Sequence, residues 1–297
     1  MSERRAALIF NPQSGRSSRR LERVRRMCEL LAAKGISIDV RGTAAPGDAV
    51  TLSRKAVTEG KDMVIVYGGD GTVNEAVQGM AGSRVPLAVW SGGTANVVAR
   101  DLGLPSRIEA LSNVIAAGKE RRISLGITRS SDGSARYFVM FAGIGLDASI
   151  CRAVNQKLKR KVGELAFWAA GIKHLFAWEP SPFRIEIEDV KYEAAFALIG
   201  NGKGYGGGIV MTPGARLDEP SFEVFILPKH RRNASYLMDL ILCKSGRPER
   251  SRGILLRGDR ITASSAGEIW VEVDGEVFAT LPMTIEAAPD ALSLIVP

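Results

Sequence analysis

Short apolar runs alternate with amphipathic stretches and glycine-rich loops through residues 1–122. Ala6-Ala7-Leu8-Ile9-Phe10 predicts a buried strand that ends in the loop Asn11-Pro12-Gln13-Ser14-Gly15-Arg16. A helix follows, with Leu21, Val24, Cys28 and Leu31 on its apolar face and Arg19, Arg20, Arg23, Arg25 and Arg26 largely elsewhere. Gly35 suits the position just past its end. Ile36, Ile38 and Val40 alternate as a strand, and Gly47-Asp48 leads into a helix ending near Gly60. Met63–Tyr67 is a continuous apolar run of the parallel-sheet type, and Thr72-Val73-Asn74-Glu75 reads as a T-x-x-E capping box opening the next helix. Leu87–Trp90 repeats the arrangement, with Ser91-Gly92-Gly93-Thr94 turning into a helix over Ala95–Leu102. Such alternation implies a parallel sheet covered on both faces, with its ligand crevice beyond the carboxyl ends of the strands.

Past Ile123 the pattern changes. Ile123–Thr128 and Tyr137–Ala142 predict a hairpin across Ser131-Asp132-Gly133-Ser134, and helices are expected over Ala148–Lys161 and Glu164–Trp178. Phe183–Glu188, Tyr192–Gly200, Phe222–Leu227, Ile261–Ala263, Ile269–Val273 and Leu292–Val296 then read as short strands. Many short strands at close spacing favour an antiparallel β-sandwich. The expected architecture is an α/β domain over residues 1–122 and a β-sandwich domain over residues 123–297. A chain of 297 residues has room for two such domains, and 45% hydrophobic residues supply a core for each.

The longest apolar stretch in the middle of the chain, Leu165–Ile172, is too short to span a bilayer. Arg4-Arg5 is followed only by Ala6–Phe10, so no signal peptide is readable. Cys28, Cys151 and Cys243, with His174 and His230, form no disulfide or zinc framework, and a reducing cytoplasm is the expected compartment. A net charge of +8 favours polyanionic partners: nucleic acid, anionic headgroups or phosphorylated substrates. No RNP1 pattern or zinc finger accompanies it, so nucleic acid is not an expected partner.

The turn Gly68-Gly69-Asp70-Gly71-Thr72 carries the clearest chemistry. Three glycines between a strand end and a helix start let backbone N–H groups approach a ligand, and the helix N-terminus adds partial positive charge. That geometry suits phosphate, and Asp70 could hold Mg²⁺ through water. A G-x-x-x-x-G-K-[ST] loop is absent, because the Gly-Lys pairs at Gly60, Gly118 and Gly202 continue with Asp, Glu and Gly. No kinase H-R-D triplet occurs either. The formal G-x-G-x-x-G at Gly202, Gly204 and Gly207 runs into Ile209-Val210-Met211-Thr212-Pro213, which cannot open a helix. Asp274-Gly275, between alternating Trp270–Val273 and Glu276, is by itself a hairpin turn.

Taken together, Asn11–Arg16, Gly69–Thr72 and Gly93-Thr94-Ala95-Asn96 resemble the diacylglycerol kinase catalytic-domain family, which includes bacterial lipid kinases and is similar to sphingosine and ceramide kinases. The resemblance continues through Thr43, Gly47-Asp48-Ala49, Gly143–Ala148, Gly202–Gly208 with Pro213, and Val273–Glu276, and so covers nearly the whole chain. It implies a phosphofructokinase-like nucleotide domain and a lipid-substrate sandwich. It also implies transfer of the ATP γ-phosphate to a lipid hydroxyl of diacylglycerol-like or sphingoid or ceramide-like type. Asn11, Ser14, Gly15, Arg16, Thr43, Gly68, Gly69, Gly71, Thr72, Glu75, Gly93, Thr94 and Asn96 become nucleotide-side candidates; capping explains Thr72 and Glu75 equally well. Asp274 takes the role of base, and Asp70 and Glu276 hold Mg²⁺ through water.

Two departures from the family pattern stand out. Val97 follows Asn96 where many members carry Asp, and Leu217-Asp218-Glu219-Pro220 replaces an Asp-Asp-Gly turn. An NAD kinase-like nucleotide kinase is the enzymatic alternative, although Asn96-Val97 lacks the second Asn-Asp motif that it needs. A weakly active membrane-associated lipid- or nucleotide-binding protein is the other. Lys157–Lys161, Phe167-Trp168 and Lys173–Trp178 interleave cations and aromatics, which suits peripheral contact with an anionic surface at the inner membrane face. The sequence leaves a homodimer open.

Overall fold

The computed structural model describes residues 3–13, 19–153, 171, 174–229 and 233–297. Ser14, Gly15 and Arg16 lie outside the described residues, as do Lys157–Lys161, Phe167, Trp168 and Lys173 from the basic aromatic segment. The chain divides into two units: Met1–Ile123 with Asp290–Pro297, and Ser124–Pro289.

The first unit alternates β1 (Arg4–Phe10), α1 (Arg20–Ala32), β2 (Ile36–Gly42), α2 (Asp48–Thr58), β3 (Met63–Gly68), α3 (Asp70–Met80), β4 (Leu87–Ser91), α4 (Val97–Asp101) and α5 (Ile108–Ala117). The strands lie parallel in the order β2-β1-β3-β4, and Leu294 pairs beside Leu87 of β4. Every residue of β3 is buried, as are the last five of β1. This is the apolar run expected of strands covered on both faces, where each fully buried Leu or Ile contributes about 1.5–3 kcal/mol. Chain order reverses between β1 and β3, the switch point outside which open α/β sheets bind ligands.

The buried face of α1 differs from the predicted one. Arg20, Val24, Met27 and Leu31 turn inward, and Leu21 is 69% exposed. The cause is aromatic. Tyr67 and Trp90 stack with ring centroids 3.8 Å apart, and the Arg20 guanidinium lies 5.3 Å above the Tyr67 ring. A planar cation can be buried on an aromatic face, so the helix rotates to place Arg20 rather than Leu21 there. Arg20 Nη1 also donates to the Asn11 carbonyl at 2.7 Å, which fixes the start of the first loop.

The second unit contains the rest of β5 (Glu120–Ser130), then β6 (Ala135–Phe138), β7 (Phe141–Gly145), α6 (Leu146–Ala153), β8 (Phe183–Ile187), β9 (Val190–Ala194), β10 (Phe196–Gly200), β11 (Phe222–Leu227), α7 (Asn233–Lys244), β12 (Ile254–Gly258), β13 (Arg260–Ser264), β14 (Trp270–Val273), β15 (Glu276–Thr280) and the first part of β16 (Met283–Ile295). A six-stranded antiparallel sheet runs β12-β11-β10-β7-β14-β15. A second antiparallel set runs β16-β13-β8-β9. Ile144, Ile199, Val224 and Val271 of the first share a core with Ile185, Ile261 and Ile285 of the second. Period-two burial on facing strands makes this a sandwich core.

Tyr137–Ala142, expected as one strand, is interrupted at Val139-Met140 between β6 and β7. Tyr192–Gly200 is likewise two strands, broken at Ala195. The Gly202–Gly207 run leads only to a single 3-10 turn at Gly206–Gly208 and then extended chain at Ile209, so the helix a dinucleotide fingerprint requires does not form.

Candidate active site

In the first unit, the loops after β1, β2, β3 and β4 meet at the carboxyl end of the sheet. Asn11 donates its backbone N–H to the Tyr67 carbonyl at 3.1 Å and its side-chain amide to Thr72 Oγ1 at 3.4 Å. Thr43 is tied to Phe10 by a 3.0 Å backbone bond, and Gly92 to Gly68 by one of 2.7 Å. A Cβ added at Gly93 would stand 2.6 Å from Gly69 Cα, so glycine is what allows these two loops to touch. The described nucleotide-side candidates Asn11, Thr43, Gly68, Gly69, Gly93, Thr94 and Asn96 therefore lie at one set of adjoining strand ends and loops, with Gly71 and Thr72 in the first turn of α3 beside them.

Glu75 is engaged elsewhere. The predicted capping box does not form, because α3 begins at Asp70 with Gly69 as its N-cap and Thr72 already lies inside the first turn. Glu75 instead accepts the Ala49 N–H at 3.3 Å, satisfying an otherwise unpaired donor at the start of α2. Thr72 is buried, with its hydroxyl beside Asn11 and its side chain against Gly68.

Asp70 joins the two glycine loops. Its Oδ2 accepts the Asn96 N–H at 2.8 Å and its Oδ1 accepts the Val97 N–H at 2.7 Å. The carboxylate sits at two helix N-termini at once: it is the first residue of α3, and it receives the first donors of α4. Asn96 has φ 48°, a left-handed conformation that Asn tolerates, and its amide grips Gly93 by bonds of 2.9 and 3.0 Å. These contacts explain why α4 starts at Val97 and not at the predicted Ala95.

In the second unit, Asp274 sits at the tip of the β14–β15 hairpin, with φ 48° at Asp274 and φ 84° at Gly275. Its carboxylate accepts three backbone N–H groups: Val139 on Oδ2 at 2.8 Å, and Met140 and Phe141 on Oδ1 at 2.9 and 3.0 Å. The interruption between β6 and β7 is thus the binding site for this side chain. Three N–H donors fix the direction of the carboxylate. Glu276 begins β15 and pairs with the Arg136 guanidinium of β6.

Beneath the hairpin tip lies a buried group that the sequence reading passed over. Glu272 is completely buried, and its Oε2 accepts the Gly275 N–H at 2.6 Å. Its Oε1 and the Asp147 carboxyl group crowd the same side of Gly143, and Tyr205 donates its hydroxyl to Asp147 Oδ1. Burial first, then the Asp147 charge, push the Glu272 carboxyl well above the ordinary carboxylate range. A carboxyl group raised in this way keeps its proton where an ordinary carboxylate has lost it, which relieves the repulsion from Asp147. The signal available in the sequence was a carboxylate at Glu272 between the core positions Val271 and Val273, without a reason to be buried.

Mg²⁺ is usually held by one or two carboxylates together with substrate phosphates and water, so no closed protein cage is expected for it. No group of three or more His, Cys, Asp or Glu side chains suited to a metal occurs among the described residues. Asp70 in the first unit and Glu276 in the second are each partly exposed carboxylates, oriented by backbone N–H donors and by a guanidinium respectively, and each by itself is suited to meet a cation through water.

Comparison with known proteins gives this arrangement a family. The diacylglycerol kinase catalytic domain family matches residues 5–127, and the YegS C-terminal NAD kinase beta sandwich-like domain family matches residues 141–296. A diacylglycerol kinase of Staphylococcus aureus (strain MRSA252) is 30% identical, across 94% of this chain and 88% of its own. Those of Bacillus subtilis (strain 168) and Mycobacterium tuberculosis (strain ATCC 25618 / H37Rv) are 27% and 29% identical, across 94% and 84% of this chain and 92% and 82% of their own. A crystal structure from Bacillus anthracis str. Sterne, described as of diacylglycerol kinases, has the same fold, with TM-score 0.79, 24% identity and coverage of 99% of this chain and 97% of that one. With both halves matched in order along the chain, the protein belongs to the diacylglycerol kinase catalytic-domain family, and with it to the lipid kinases.

Proposed function

We propose that this lipid kinase transfers the γ-phosphate of ATP to the hydroxyl of a diacylglycerol-like or sphingoid or ceramide-like lipid. The observation that carries the reading is Asp274, a carboxylate held by three backbone N–H groups at a hairpin tip, in a chain whose other unit gathers glycine loops at the strand ends. The glycine loops at Gly68-Gly69 and Gly93-Thr94, with Ser14, Gly15 and Arg16, receive the ATP phosphates, while the Gly93 and Asn96 N–H groups hold the loops in shape through Asn96 and Asp70. Asp70 and Glu276 would hold Mg²⁺ through water, and the ion would supply compensation for phosphate charge. Asp274 orients the lipid hydroxyl and takes its proton as the new P–O bond forms. The loose transition state of phosphoryl transfer demands little proton removal early. Positioning therefore supplies most of the rate.

No helix among the described residues is long and apolar enough to cross a membrane. The kinase reaches its lipid by peripheral contact with an anionic surface at the cytoplasmic face. The +8 charge supports this, as do Phe176, Met238 and Ile241, each more than half exposed in the segment and helix that Trp178 and Tyr236 bring together.

An ATP-consumption assay against diacylglycerol, sphingoid base, ceramide and NAD tests the reading. Turnover with a lipid supports it. Turnover with NAD alone selects the nucleotide-kinase alternative that the name of the sandwich family suggests, and binding without turnover selects a non-catalytic protein.

A further inference from the structure

We infer that Glu272 is a positioning residue for Asp274, acting through the Gly275 N–H. The inference rests on the proposed role of Asp274 as proton acceptor. Two successive left-handed residues form the turn, and the first, Asp274, adopts that conformation against its own steric preference. The N–H of the second is not left to solvent: Glu272 Oε2 takes it from below at 2.6 Å. The register of β14 against β15 shifts between Val271 and Glu272, with Phe278 of β15 as the extra residue of a bulge, so the short segment that carries Glu272 pairs directly up to its own turn.

The brace is itself anchored. Glu272 lies beside Asp147, in the first turn of α6, and Asp147 accepts the hydroxyl of Tyr205. Gly143 of β7 has no side chain to separate the two acids. The hairpin tip is thus held from two directions, by residues 139–141 on the Asp274 carboxylate and by Glu272 on the next peptide. Stability alone does not account for this. A buried acid pair is a poor substitute for packed apolar side chains, whereas a fixed acceptor under a catalytic turn has a geometric use.

The test compares Glu272→Gln and Glu272→Leu in the full chain, alone and with Asp274→Asn. Gln keeps the acceptor for Gly275 and gives Asp147 an N–H donor, so its kcat should stay within about threefold of wild type. Leu removes the acceptor, and kcat should fall by about 10–10²-fold with KM for ATP unchanged, the scale of a misplaced reacting group. If Glu272 acts through Asp274, adding Glu272→Leu to Asp274→Asn should lower turnover no further. In the wild type, amide exchange at Gly275 should be slow. Wild-type kcat in Glu272→Leu, multiplied losses in the double variant, or loop-like exchange at Gly275 would each overturn the inference. The exchange measurement decides even if Glu272→Leu fails to fold. Full turnover in Asp274→Asn would instead remove the underlying assignment and this one with it.

Discussion

The carboxylate of Asp70 closes on the backbone N–H of Val97 at 2.7 Å, in the position where many family members place a second carboxylate. What Val97 contributes here is a donor. Asp70→Ala therefore removes a charge from the glycine loops and two acceptors from α4 together. We expect turnover at limiting Mg²⁺ to collapse and stability to fall by about 0.5–2 kcal/mol, the range for a lost helix cap. Mg²⁺ titrations and denaturant melts read the two effects separately. Full activity at limiting Mg²⁺ would place the ion elsewhere.

Val97→Asp keeps the N–H to Asp70 and adds a carboxylate at the helix start, where negative charge is favoured. The Mg²⁺ concentration for half-maximal activity should decrease. An unchanged profile would mean that the side chain at position 97 does not face the ion.

Asp274→Asn retains shape and turn preference but turns an NH₂ group toward one of the three N–H donors. Turnover should fall by at least about 10²-fold, as for a lost general base, with KM for ATP little changed. Wild-type turnover would discard the assignment.

Gly93→Ala tests the contact between the glycine loops. The new methyl would meet Gly69 Cα at 2.6 Å, backbone against side chain, and neither loop can yield by rotating a side chain. A cost of about 1–3 kcal/mol is expected from overpacking, together with a raised KM for ATP. An unchanged KM would separate this contact from nucleotide binding.

Stability should depend on pH through the buried acid pair. Glu272, facing Asp147 of α6 with Tyr205 beyond it and Asp274 two residues away, has its carboxyl raised well above the usual 4.5 in the folded chain. The unfolded chain releases that proton above about pH 4.5, and the folded chain keeps it. The stabilisation is complete below that pH and is lost as pH rises toward the folded value. Relative to Glu272→Gln, wild type should lose up to about 1.4 kcal/mol per pH unit in that window. Parallel stability curves for the two proteins would refute the raised Glu272 carboxyl.

The parts of this fold legible in the sequence were those decided by neighbours in the chain. Met63–Tyr67 and Leu87–Trp90 read as buried strands because unbroken apolar runs suit a sheet covered on both sides. The errors came from partners far away in sequence. Thr72 and Glu75 matched a capping box by spacing, yet Glu75 serves a helix that begins 27 residues earlier, at Asp48. The strand drawn through Val139-Met140 is broken by a carboxylate 135 residues away from Val139. Asp274 itself read locally as a turn residue; only the family resemblance gave it chemistry, and nothing local announced the three N–H groups that hold it.

β16 also constrains the order in which the chain can be made. It opens beside β13 in the second unit and ends with Leu294 beside Leu87 of β4 in the first. During synthesis the parallel sheet emerges first but lacks this last edge until nearly the whole polypeptide has been translated. For that interval β4 presents an unpaired edge, the kind of surface that recruits other nascent strands. A gene fragment ending at the first unit would make that transient condition permanent.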